Sequence, residues 1–348
     1  MAASMIKQGK GLEQNISLTR ASSFNTDLVH LQDYDSSNNS ISSATNFSQW
    51  ETEDAAGAAE VGAVSLNTDE LVDQNDYDSP GSVSSCTSAF SQWEIRDPPI
   101  GGGEFASVHV ACNRETGHLS AVKKLKDPDN PDNIKEIEIL SQLEHPNIIK
   151  YYGSERVGNQ IWLLMEYVET GTLTRYISER GAFHERLVKD ITFQILSALA
   201  YLHSKRIVHR DIKADNILVD SYGFVKLIDF GLAKHGHESM GSDSLWGTSH
   251  YAAPETLQNQ EYSSSGEAYS ADICSLGCVI IEMFTGKRPW LDLDWRQVNR
   301  EVCWNKPDPE IPMDLSTEGQ EFVQLCFERN PAKRLSASEL LQHPFLSS

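Results

Sequence analysis

A glycine-rich stretch followed by a lysine is the first part of this sequence whose residues suggest chemistry. The stretch IGGGEFASV runs from Ile100 to Val108, and Lys123 follows fifteen residues later in HLSAVKKL, which has the alternating pattern of a strand. Backbone N–H groups of such a loop can lie over nucleotide phosphates, and a lysine ammonium beside them adds positive charge. A glycine loop alone is a weak signal, because flexible turns have the same composition.

Three polar motifs follow Lys123 along the chain. They are HRDIKADN (His209–Asn216), DFG (Asp229–Gly231) and APE (Ala253–Glu255). Each could occur by chance, but all of them in this order and at these separations could not. On these motifs, the segment from Trp93 to Leu346 resembles a eukaryotic protein kinase. The resemblance implies an α+β fold of two lobes, with a small, mostly β N-lobe and a larger helical C-lobe.

The resemblance also implies roles in phosphoryl transfer, a reaction in which the protein mainly positions groups and neutralises charge. Asp211 is the expected base that accepts or orients the proton of a substrate hydroxyl. Lys213 is expected near the γ-phosphate, and Lys123 at the α- and β-phosphates. Asn216 and Asp229 are the expected Mg²⁺ ligands, because Mg²⁺ prefers carboxylate and amide oxygens.

A carboxylate on the helix after Lys123 should hold its ammonium group. Glu136 and Glu138 in IKEIEILSQLEHPNII are the two candidates. A step of two residues turns a helix by about 200°, so only one of them can face the cleft. The position of the following HPNII favours Glu136. The connector DPDNPDN before this helix is short, and we expect it to keep the helix in place with Lys123 and Glu136 paired.

The expected ATP site combines the glycine loop with the segment WLLMEYVETGTL. Met165 should lie at the back of the pocket, and backbone groups of Glu166 and Val168 should read the edge of the adenine. The apolar residues of this site would be buried in any fold, so their nucleotide role rests on the resemblance. The complete set of expected nucleotide-binding residues is Ile100, Gly101, Gly102, Gly103, Val108, Ala121, Lys123, Met165, Glu166, Val168 and Leu218.

Several stretches are similar to the mitogen-activated protein kinase kinase kinase (MEKK-like) branch, namely HPNIIKYYGS, LLMEYVETGTL, VHRDIKADNILVD and VKLIDFGLAK. The resemblance implies a serine/threonine kinase that uses ATP and Mg²⁺. Its protein substrate would be a MAP kinase kinase, phosphorylated on its activation loop. The alternative is another STE-like serine/threonine kinase outside this cascade. A kinase-fold scaffold without activity would need a missing Lys, Asp or Asn, and none is missing.

The loop between DFG and APE contains serines that are candidate phosphorylation sites. Arg210, next to the expected base, and Lys234 could bind a phosphate on this loop and so order it. We expect Ser244 to be the acceptor, with Ser242 and Ser239 as further candidates. The alternative is that these serines only make the loop flexible and soluble.

Two buried contacts are expected in the C-lobe. Asp272, in the apolar helical stretch SADICSLGCVIIEMF, should anchor the backbone of the catalytic loop. Glu255 should pair with Arg334 of NPAKRLSASELL, and a buried pair of this kind is costly to break from one side. We interpret His209 as a packing residue behind the catalytic loop.

The first 92 residues differ in composition from the rest of the chain. They hold 13 acidic and 3 basic residues, whereas the other 256 residues hold 37 acidic and 26 basic ones. Because the first segment has few large apolar residues, we predict a disordered tail at 1–92 and a kinase domain at 93–348. The net charge of −21 argues against nucleic acid as a partner.

A tandem repeat with an offset of 43 residues runs through this tail. FSQWE occurs at Phe47–Glu51 and again at Phe90–Glu94. Two such polar copies are too few to stack as a folded repeat. The second copy leads into the first expected strand, where Trp93 should pack on the N-lobe. The first copy, around Trp50, is either an intrasteric regulator or, as we favour, a by-product of duplication.

Six scattered cysteines without CxxC pairs indicate reduced core thiols rather than a metal site. The N-terminal MAASMIKQGK has no apolar signal core, and we interpret the longest apolar windows, such as SLGCVIIEMF, as too short and too interrupted to span a bilayer. We therefore expect a cytoplasmic protein without a membrane partner. The sequence leaves the oligomeric state open.

Overall fold

The computed structural model describes residues 90–236, 249–258, 265–305 and 308–347. The first of the described residues form an antiparallel sheet. Its strands are β1 (Trp93–Ile95), β2 (Gly101–Gly102), β3 (Ala106–Asn113), β4 (Leu119–Leu125), β5 (Tyr151–Val157) and β6 (Gln160–Glu166). The strands lie in the order β1, β3, β4, β6, β5, and β2 pairs with the start of β3. This is the small, mostly β lobe that the sequence predicts.

The register of this sheet places the expected nucleotide-binding residues on one face. Val108 lies opposite Lys123, and Ala121 lies opposite Met165. Side chains two residues apart on a strand share a face, and so do cross-strand partners. Val108, Ala121, Lys123 and Met165 therefore point to the same side of the sheet.

The second FSQWE copy is part of the N-lobe. Phe90 is buried against a cluster that includes Val122 and Leu164, and its ring meets the Trp162 ring edge-on, with 6.1 Å between centroids. Trp93 opens β1 and packs against the same cluster. The prediction that Trp93 packs on this lobe is confirmed.

The helix α1 (Pro131–Ser141) lies between β4 and β5 in the chain. Asn130 caps it by accepting a hydrogen bond from the backbone N–H of Asp132 at 2.9 Å. Proline at the first helical position loses no hydrogen bond, because that N–H has no partner within the helix. The helix buries Ile139 and Leu140, each worth about 1.5–3 kcal/mol when fully buried. The same face carries Glu136 into the interior.

The C-lobe is built on two long helices that pack together. Its helices are α2 (Leu173–Arg180), α3 (Glu185–Ser204), α4 (Pro254–Leu257), α5 (Ser265–Thr285), α6 (Trp295–Arg300), α7 (Thr317–Cys326), α8 (Ala337–Leu340) and α9 (Pro344–Ser347). Helix α3 buries one stripe, with Val188, Ile191 and Ile195 at helical spacing. Helix α5 buries residues on nearly all sides, including Ile273, Val279 and Ile280. The two-lobed α+β fold is as predicted.

Helix α5 corrects one prediction from the sequence. Its stretch Gly266–Thr285 is long and apolar enough, by length and composition, to cross a membrane, so the prediction that every apolar window is too short is wrong. Small residues such as Ala268 and Ala271 extend the apolar run beyond the window SLGCVIIEMF. However, 72% of the apolar window is buried inside the protein, and Asp272 and Glu282 accept hydrogen bonds there. These contacts are those of a core helix.

The cysteines of the described residues are all free thiols. Cys274, Cys278 and Cys326 lie together in the C-lobe core. Burial raises the pKa of Cys274 to about 12. These thiols are therefore protonated at neutral pH and pack as small apolar groups.

Two short two-stranded sheets flank the catalytic motifs. They consist of β7 (Ile207–Val208), β8 (Ile217–Val219), β9 (Val225–Leu227) and β10 (Lys234–His235), paired as β7 with β10 and β8 with β9. The HRDIKADN motif lies between β7 and β8, and DFG lies between β9 and β10. The paired strands thus hold both motifs at fixed positions on the C-lobe.

Candidate active site

Three charged side chains from separate elements meet at Lys123. Its Nζ lies 2.6 Å from Oε1 of Glu136 on α1 and 3.0 Å from Oδ1 of Asp229 in the DFG motif. The Glu136 side chain is 3% exposed, whereas Glu138 lies on the exposed side of the helix. The predicted pair between Lys123 and Glu136 is present, as the helical phase required.

The charges of this triad depend on one another. Burial alone would lower the pKa of Lys123, but the carboxylates of Glu136 and Asp229 outweigh burial and raise it. Burial would raise the pKa of Asp229, but the Lys123 ammonium holds it below its ordinary value. Burial raises the pKa of Glu136, and Lys123 opposes that shift. Lys123 is therefore a fixed cation, and Glu136 depends on it to stay ionised.

The catalytic-loop residues form a second cluster around Asp211. Lys213 donates to Oδ2 of Asp211 at 2.7 Å. The amide nitrogen of Asn216 donates to the same Oδ2 at 2.7 Å and to the Asp211 backbone carbonyl at 2.9 Å. Both contacts of Asn216 use its nitrogen, so its amide oxygen is available to a cation. Asp211, Lys213 and Asn216 are brought together as the resemblance implies.

Asp272 fixes the backbone of this loop, which confirms the predicted anchor. Its carboxylate accepts hydrogen bonds from the backbone N–H groups of His209, at 3.0 Å, and Arg210, at 2.8 Å. Arg210 has a φ of 71°, a region that costs a non-glycine residue about 1–3 kcal/mol. Burial would raise the pKa of Asp272, but the contact with His203 and the backbone N–H of Arg210 help to hold it below its ordinary value. The ionised carboxylate thus stabilises a strained loop.

His209 has the packing role that the sequence predicts. It is fully buried, its ring meets the Phe230 ring at 4.9 Å between centroids, and its Nε2 lies 3.1 Å from the Ile228 carbonyl oxygen. Phe230 is itself buried, and the preceding Asp229 has a φ of 63°. The buried Phe230 therefore holds Asp229 in a turn that points its carboxylate toward Lys123.

The donor set fits a magnesium ion. Asp229 offers a carboxylate whose side chain is 47% exposed, and Asn216 offers an amide oxygen, both hard ligands of the kind that Mg²⁺ prefers. Within the described ranges, no group of three His, Cys, Asp or Glu side chains is arranged to hold a metal ion. A bound Mg²⁺ would therefore take its remaining ligands from phosphate oxygens and water, as is usual for this ion at nucleotide sites.

The glycine loop has room for phosphates. A Cβ at Gly102, where φ is 138°, would lie 2.5 Å from the Ala106 carbonyl oxygen, so this position requires glycine. A Cβ at Gly101 or Gly103 would meet nothing within 4 Å. These two glycines therefore leave open space beside the backbone instead of relieving a clash within the protein. Such a cradle suits a ligand that approaches the N–H groups closely.

The remaining expected nucleotide-binding residues lie outside the sheet face that carries Lys123: Ile100 precedes β2, Glu166 ends β6, Val168 follows it, and Leu218 lies in β8. The Glu166 backbone N–H donates to the Lys150 carbonyl, and its carboxylate contacts the Lys226 ammonium at 2.9 Å. The side chain of Glu166 is thus engaged by protein, which leaves its backbone carbonyl as the group for a base edge. Val168 and Leu218 are half-buried against the core, and Ile100 is exposed at the start of the glycine loop.

The predicted pair between Glu255 and Arg334 is confirmed. Two guanidinium nitrogens of Arg334 donate to the two oxygens of Glu255 at 2.6 and 3.2 Å. Arg334 also donates to the backbone carbonyls of Ser270 and Glu328. The pair ties the APE segment to α5 and to the turn before α8.

One buried contact near the APE segment was not predicted. The Tyr251 hydroxyl donates to Oε2 of Glu282 at 2.6 Å, and both residues are buried. Burial and the neighbouring carboxylate raise the pKa of Tyr251, so it remains a donor at any ordinary pH. In the sequence, the sign of this contact is Glu282, a carboxylate inside the apolar stretch SLGCVIIEMF.

The phosphorylation candidates Ser239, Ser242 and Ser244 lie outside the described residues, as does the tail at 1–89 with Trp50. Arg210 and Lys234, which we expect to bind a phosphate on this loop, lie within the described residues. An Nη1 of Arg210 donates to the Leu232 carbonyl at 3.4 Å, and Lys234 lies in β10. Phosphorylation of the loop stays a prediction.

Comparison with known proteins agrees with this geometry. The family model for the protein kinase domain matches residues 95–346. Mitogen-activated protein kinase kinase kinase 5 of Arabidopsis thaliana is 46% identical over 260 residues, which is 72% of this chain and 36% of the relative. The kinase YODA of the same plant is 42% identical over 255 residues, 71% of this chain and 28% of the relative.

A relative from a second organism gives the same result. Mitogen-activated protein kinase kinase kinase A of Dictyostelium discoideum is 38% identical over 259 residues, which is 71% of this chain and 27% of the relative. The aligned region thus spans less than half the length of each of these three relatives.

Proposed function

Because the chain belongs to the protein kinase family, we propose that it is a serine/threonine kinase that acts as a MAP kinase kinase kinase. Its substrate is a MAP kinase kinase, phosphorylated on activation-loop serine or threonine, and its cofactors are ATP and Mg²⁺. The assembled Lys123–Glu136–Asp229 triad beside the Asp211 cluster carries this proposal. The names of the relatives support the branch.

Mg·ATP, when bound, supplies the phosphoryl group and a divalent cation that neutralises phosphate charge. Asp229 and the Asn216 amide oxygen hold the metal. Lys123 places its fixed positive charge at the α- and β-phosphates, and Glu136 keeps that ammonium in position. Each of these groups is set before substrate arrives, so little reorganisation is needed at the moment of reaction.

Asp211 receives the substrate hydroxyl. Lys213 and Asn216 both donate to Oδ2, which leaves Oδ1 to accept the hydroxyl proton. Lys213 reaches the same place and adds positive charge where negative charge develops on the transferred group. Asp272 maintains the strained backbone of this loop and so positions the base.

We also propose that the protein acts in the cytoplasm. Free, buried thiols in the C-lobe are consistent with a reducing compartment. Fusion of the full chain to a fluorescent protein, followed by imaging and cell fractionation, tests this location. Recovery of the protein in a membrane or secreted fraction would contradict it.

A phosphorylation assay tests the proposed activity. The purified chain is incubated with Mg²⁺ and γ-labelled ATP and a catalytically inactive MAP kinase kinase, with a matched acceptor whose activation-loop serines and threonines are alanine. We expect label on the first acceptor only, and none with Asp211→Asn. Label on a generic basic protein but not on the MAP kinase kinase would support a kinase of another branch. No label on any acceptor would refute the proposal.

A further inference from the structure

A groove of about 690 Å³ lies on the C-lobe, apart from the triad and the Asp211 cluster. It runs between the end of α4 and α6 with the π-helical turn that follows, Glu301–Asn305. Two large aromatic side chains in it face solvent, since Trp295 is 49% exposed and Trp304 is 78% exposed. The groove is lined by Leu257, Gln258, Trp295, Arg296, Asn299, Arg300, Cys303 and Trp304.

The groove is preformed. Leu257, Val298, Val302 and Cys303 pack into one buried cluster beneath it. Asp294 caps α6 through a capping box, which fixes the start of the helix that carries Trp295. A rigid floor under exposed aromatic residues is typical of a binding surface, because no folding is needed before a partner binds.

The charge of the groove is opposite to that of the chain. Its lining contains Arg296 and Arg300 and no carboxylate, whereas the chain carries a net charge of −21. The Arg296 guanidinium lies 5.0 Å from the Trp295 ring. Among the described residues, Glu301 contacts Arg300 at 3.6 Å, and this adjacent surface contact contributes little. Carboxylates of a partner thus have two arginines to bind.

In the N-lobe, a tryptophan with a neighbouring cation packs against an aromatic residue of the chain itself. The Lys124 ammonium lies 4.6 Å from the Trp162 ring, and Phe90 packs edge-on against the same ring. Phe90 belongs to FSQWE, a segment in which aromatic residues precede a glutamate. Trp295 with Arg296 repeats the pairing of an indole ring with a cation, on a surface that nothing in the described residues covers.

We propose that this groove docks a segment of the protein substrate in which aromatic and acidic residues alternate. The aromatic rings pack on Trp295 and Trp304, and the carboxylates bind Arg296 and Arg300. A short acidic segment suits the groove better than a long polyanion, which the net charge of the chain repels. The proposal names a substrate-docking site and so rests on the proposed function.

The position of the groove explains how docking serves phosphorylation. Leu257 and Gln258 lie two and three residues after the end of the APE segment, and the Gln258 amide donates to the Cys303 carbonyl at 3.3 Å. The groove is thus joined to the helix that carries the end of the APE segment. Docking there raises the local concentration of the substrate hydroxyl without touching the nucleotide site.

A binding measurement tests the groove independently of activity. The probe is a fluorescein-labelled peptide of sequence EDFDEWEDE, titrated with the full chain and read by fluorescence anisotropy. We expect saturable binding that weakens as salt is raised. Trp304→Ala and the pair Arg296→Glu with Arg300→Glu should each weaken it about tenfold or more, the size expected for a central aromatic or arginine contact. Thermal melting checks that each variant is folded.

The controls separate charge from site. Arg180 also lies over an aromatic ring, 4.6 Å from Tyr176, but on α2 and outside the groove lining. Arg180→Glu should therefore leave binding unchanged. The peptides KKFKKWKKK and EDADEAEDE should not bind. Equal binding to the Arg296→Glu and Arg300→Glu variant would overturn the proposal.

Other occupants are distinguishable outcomes. Self-association in light scattering that Trp304→Ala abolishes would make a second copy the occupant and overturn the proposal. If backbone hydrogen exchange at 295–304 is slow in the full chain and faster in Trp50→Ala, the occupant is the chain's own segment Phe47–Asp54. That result would also overturn the proposal.

A kinetic measurement links docking to turnover. An acceptor peptide fused to EDFDEWEDE should have a KM about tenfold lower than the unfused acceptor, with kcat unchanged. The two arginine substitutions should remove that difference and leave the unfused acceptor unaffected. Peptide binding without any phosphorylation would refute the proposed function and keep the docking site. Phosphorylation without peptide binding would support the proposed function and refute the docking site.

Discussion

The buried pair between Arg334 and Glu255 gives the sharpest stability prediction. The Arg334 side chain is 0% exposed and Glu255 3%, and the guanidinium contacts both carboxylate oxygens. Arg334→Ala leaves the Glu255 carboxylate buried without its partner, which costs about 3–5 kcal/mol. That is a large part of a total stability of about 5–15 kcal/mol.

The expected change in melting temperature follows from this free energy. For a domain of about 250 residues, each kcal/mol shifts Tm by about 2–4 °C, so Arg334→Ala should lower Tm by about 6–20 °C. Differential scanning fluorimetry of the purified variants measures it. Arg175→Ala, which breaks an exposed pair with Glu179, is the matched control and should leave Tm close to that of the wild type.

The cost belongs to the unpaired charge and not to lost contacts in general. Replacing both partners, with Glu255→Leu and Arg334→Met, removes the buried charges together and should recover most of the lost stability. An Arg334→Ala protein with the Tm of the wild type would refute the reasoning. A double variant no more stable than Arg334→Ala would show that packing, and not the uncompensated carboxylate, dominates.

Three further predictions concern pH, phosphorylation and the connector. Burial lowers the pKa of His145 to about 4, whereas its pKa in the unfolded chain is about 6.5, so the unfolded chain binds more protons between these pH values. The free energy of unfolding should therefore fall as pH falls through that window. In His145→Gln, urea unfolding at each pH should show a flatter dependence of this free energy on pH. Ser244→Ala should lower turnover in a steady-state kinase assay while ATP affinity stays unchanged. Insertion of four or five residues after Asp129 should lower basal activity in the same assay, because α1 can then move away from Lys123.

For each of these predictions, one result would contradict it. His118→Gln, at an exposed histidine, is the control for pH, and an unchanged pH profile in His145→Gln would contradict the first. Equal turnover of wild type and Ser244→Ala, with mass spectrometry showing phosphate on the wild type, would contradict the second. For the third, Arg156→Ala breaks the 2.9 Å pair with Asp129 without lengthening the connector and is the control. Undiminished activity after insertion would show that the connector does not restrain the helix.

The sequence was sufficient where one residue's position follows from a regular period. Helical phase separated Glu136 from Glu138, since a rotation of about 200° leaves only one of them facing the cleft. Strand alternation predicted the strand that carries Lys123, and the register of the sheet then places Lys123 on the face that it shares with Val108 and Met165. The expected partners Asp272 and Arg334 came from the family resemblance, and the structure contains both contacts.

The sequence was insufficient where two distant segments meet without a repeating pattern. Tyr251 and Glu282 are 31 residues apart, and neither belongs to a motif that names the other. The groove joins the end of α4 to Trp295 and Trp304 through tertiary packing alone. The length of α5 was underestimated because a stretch of small residues extends its apolar run. These features depend on how helices pack, which local periodicity does not specify.

The central claim is that Lys123 is held by Glu136 and Asp229 to grip Mg·ATP for transfer of its terminal phosphate. Titration calorimetry with Mg·ATP, together with transfer to the MAP kinase kinase acceptor, tests it on Lys123→Met against Lys124→Met. The control lysine is the next residue of the same strand and points to the opposite face, over Trp162. We predict that Lys123→Met lowers kcat/KM at least about 100-fold, roughly 2.7 kcal/mol, while Lys124→Met stays near wild type. Equal transfer by Lys123→Met and wild type would contradict the account.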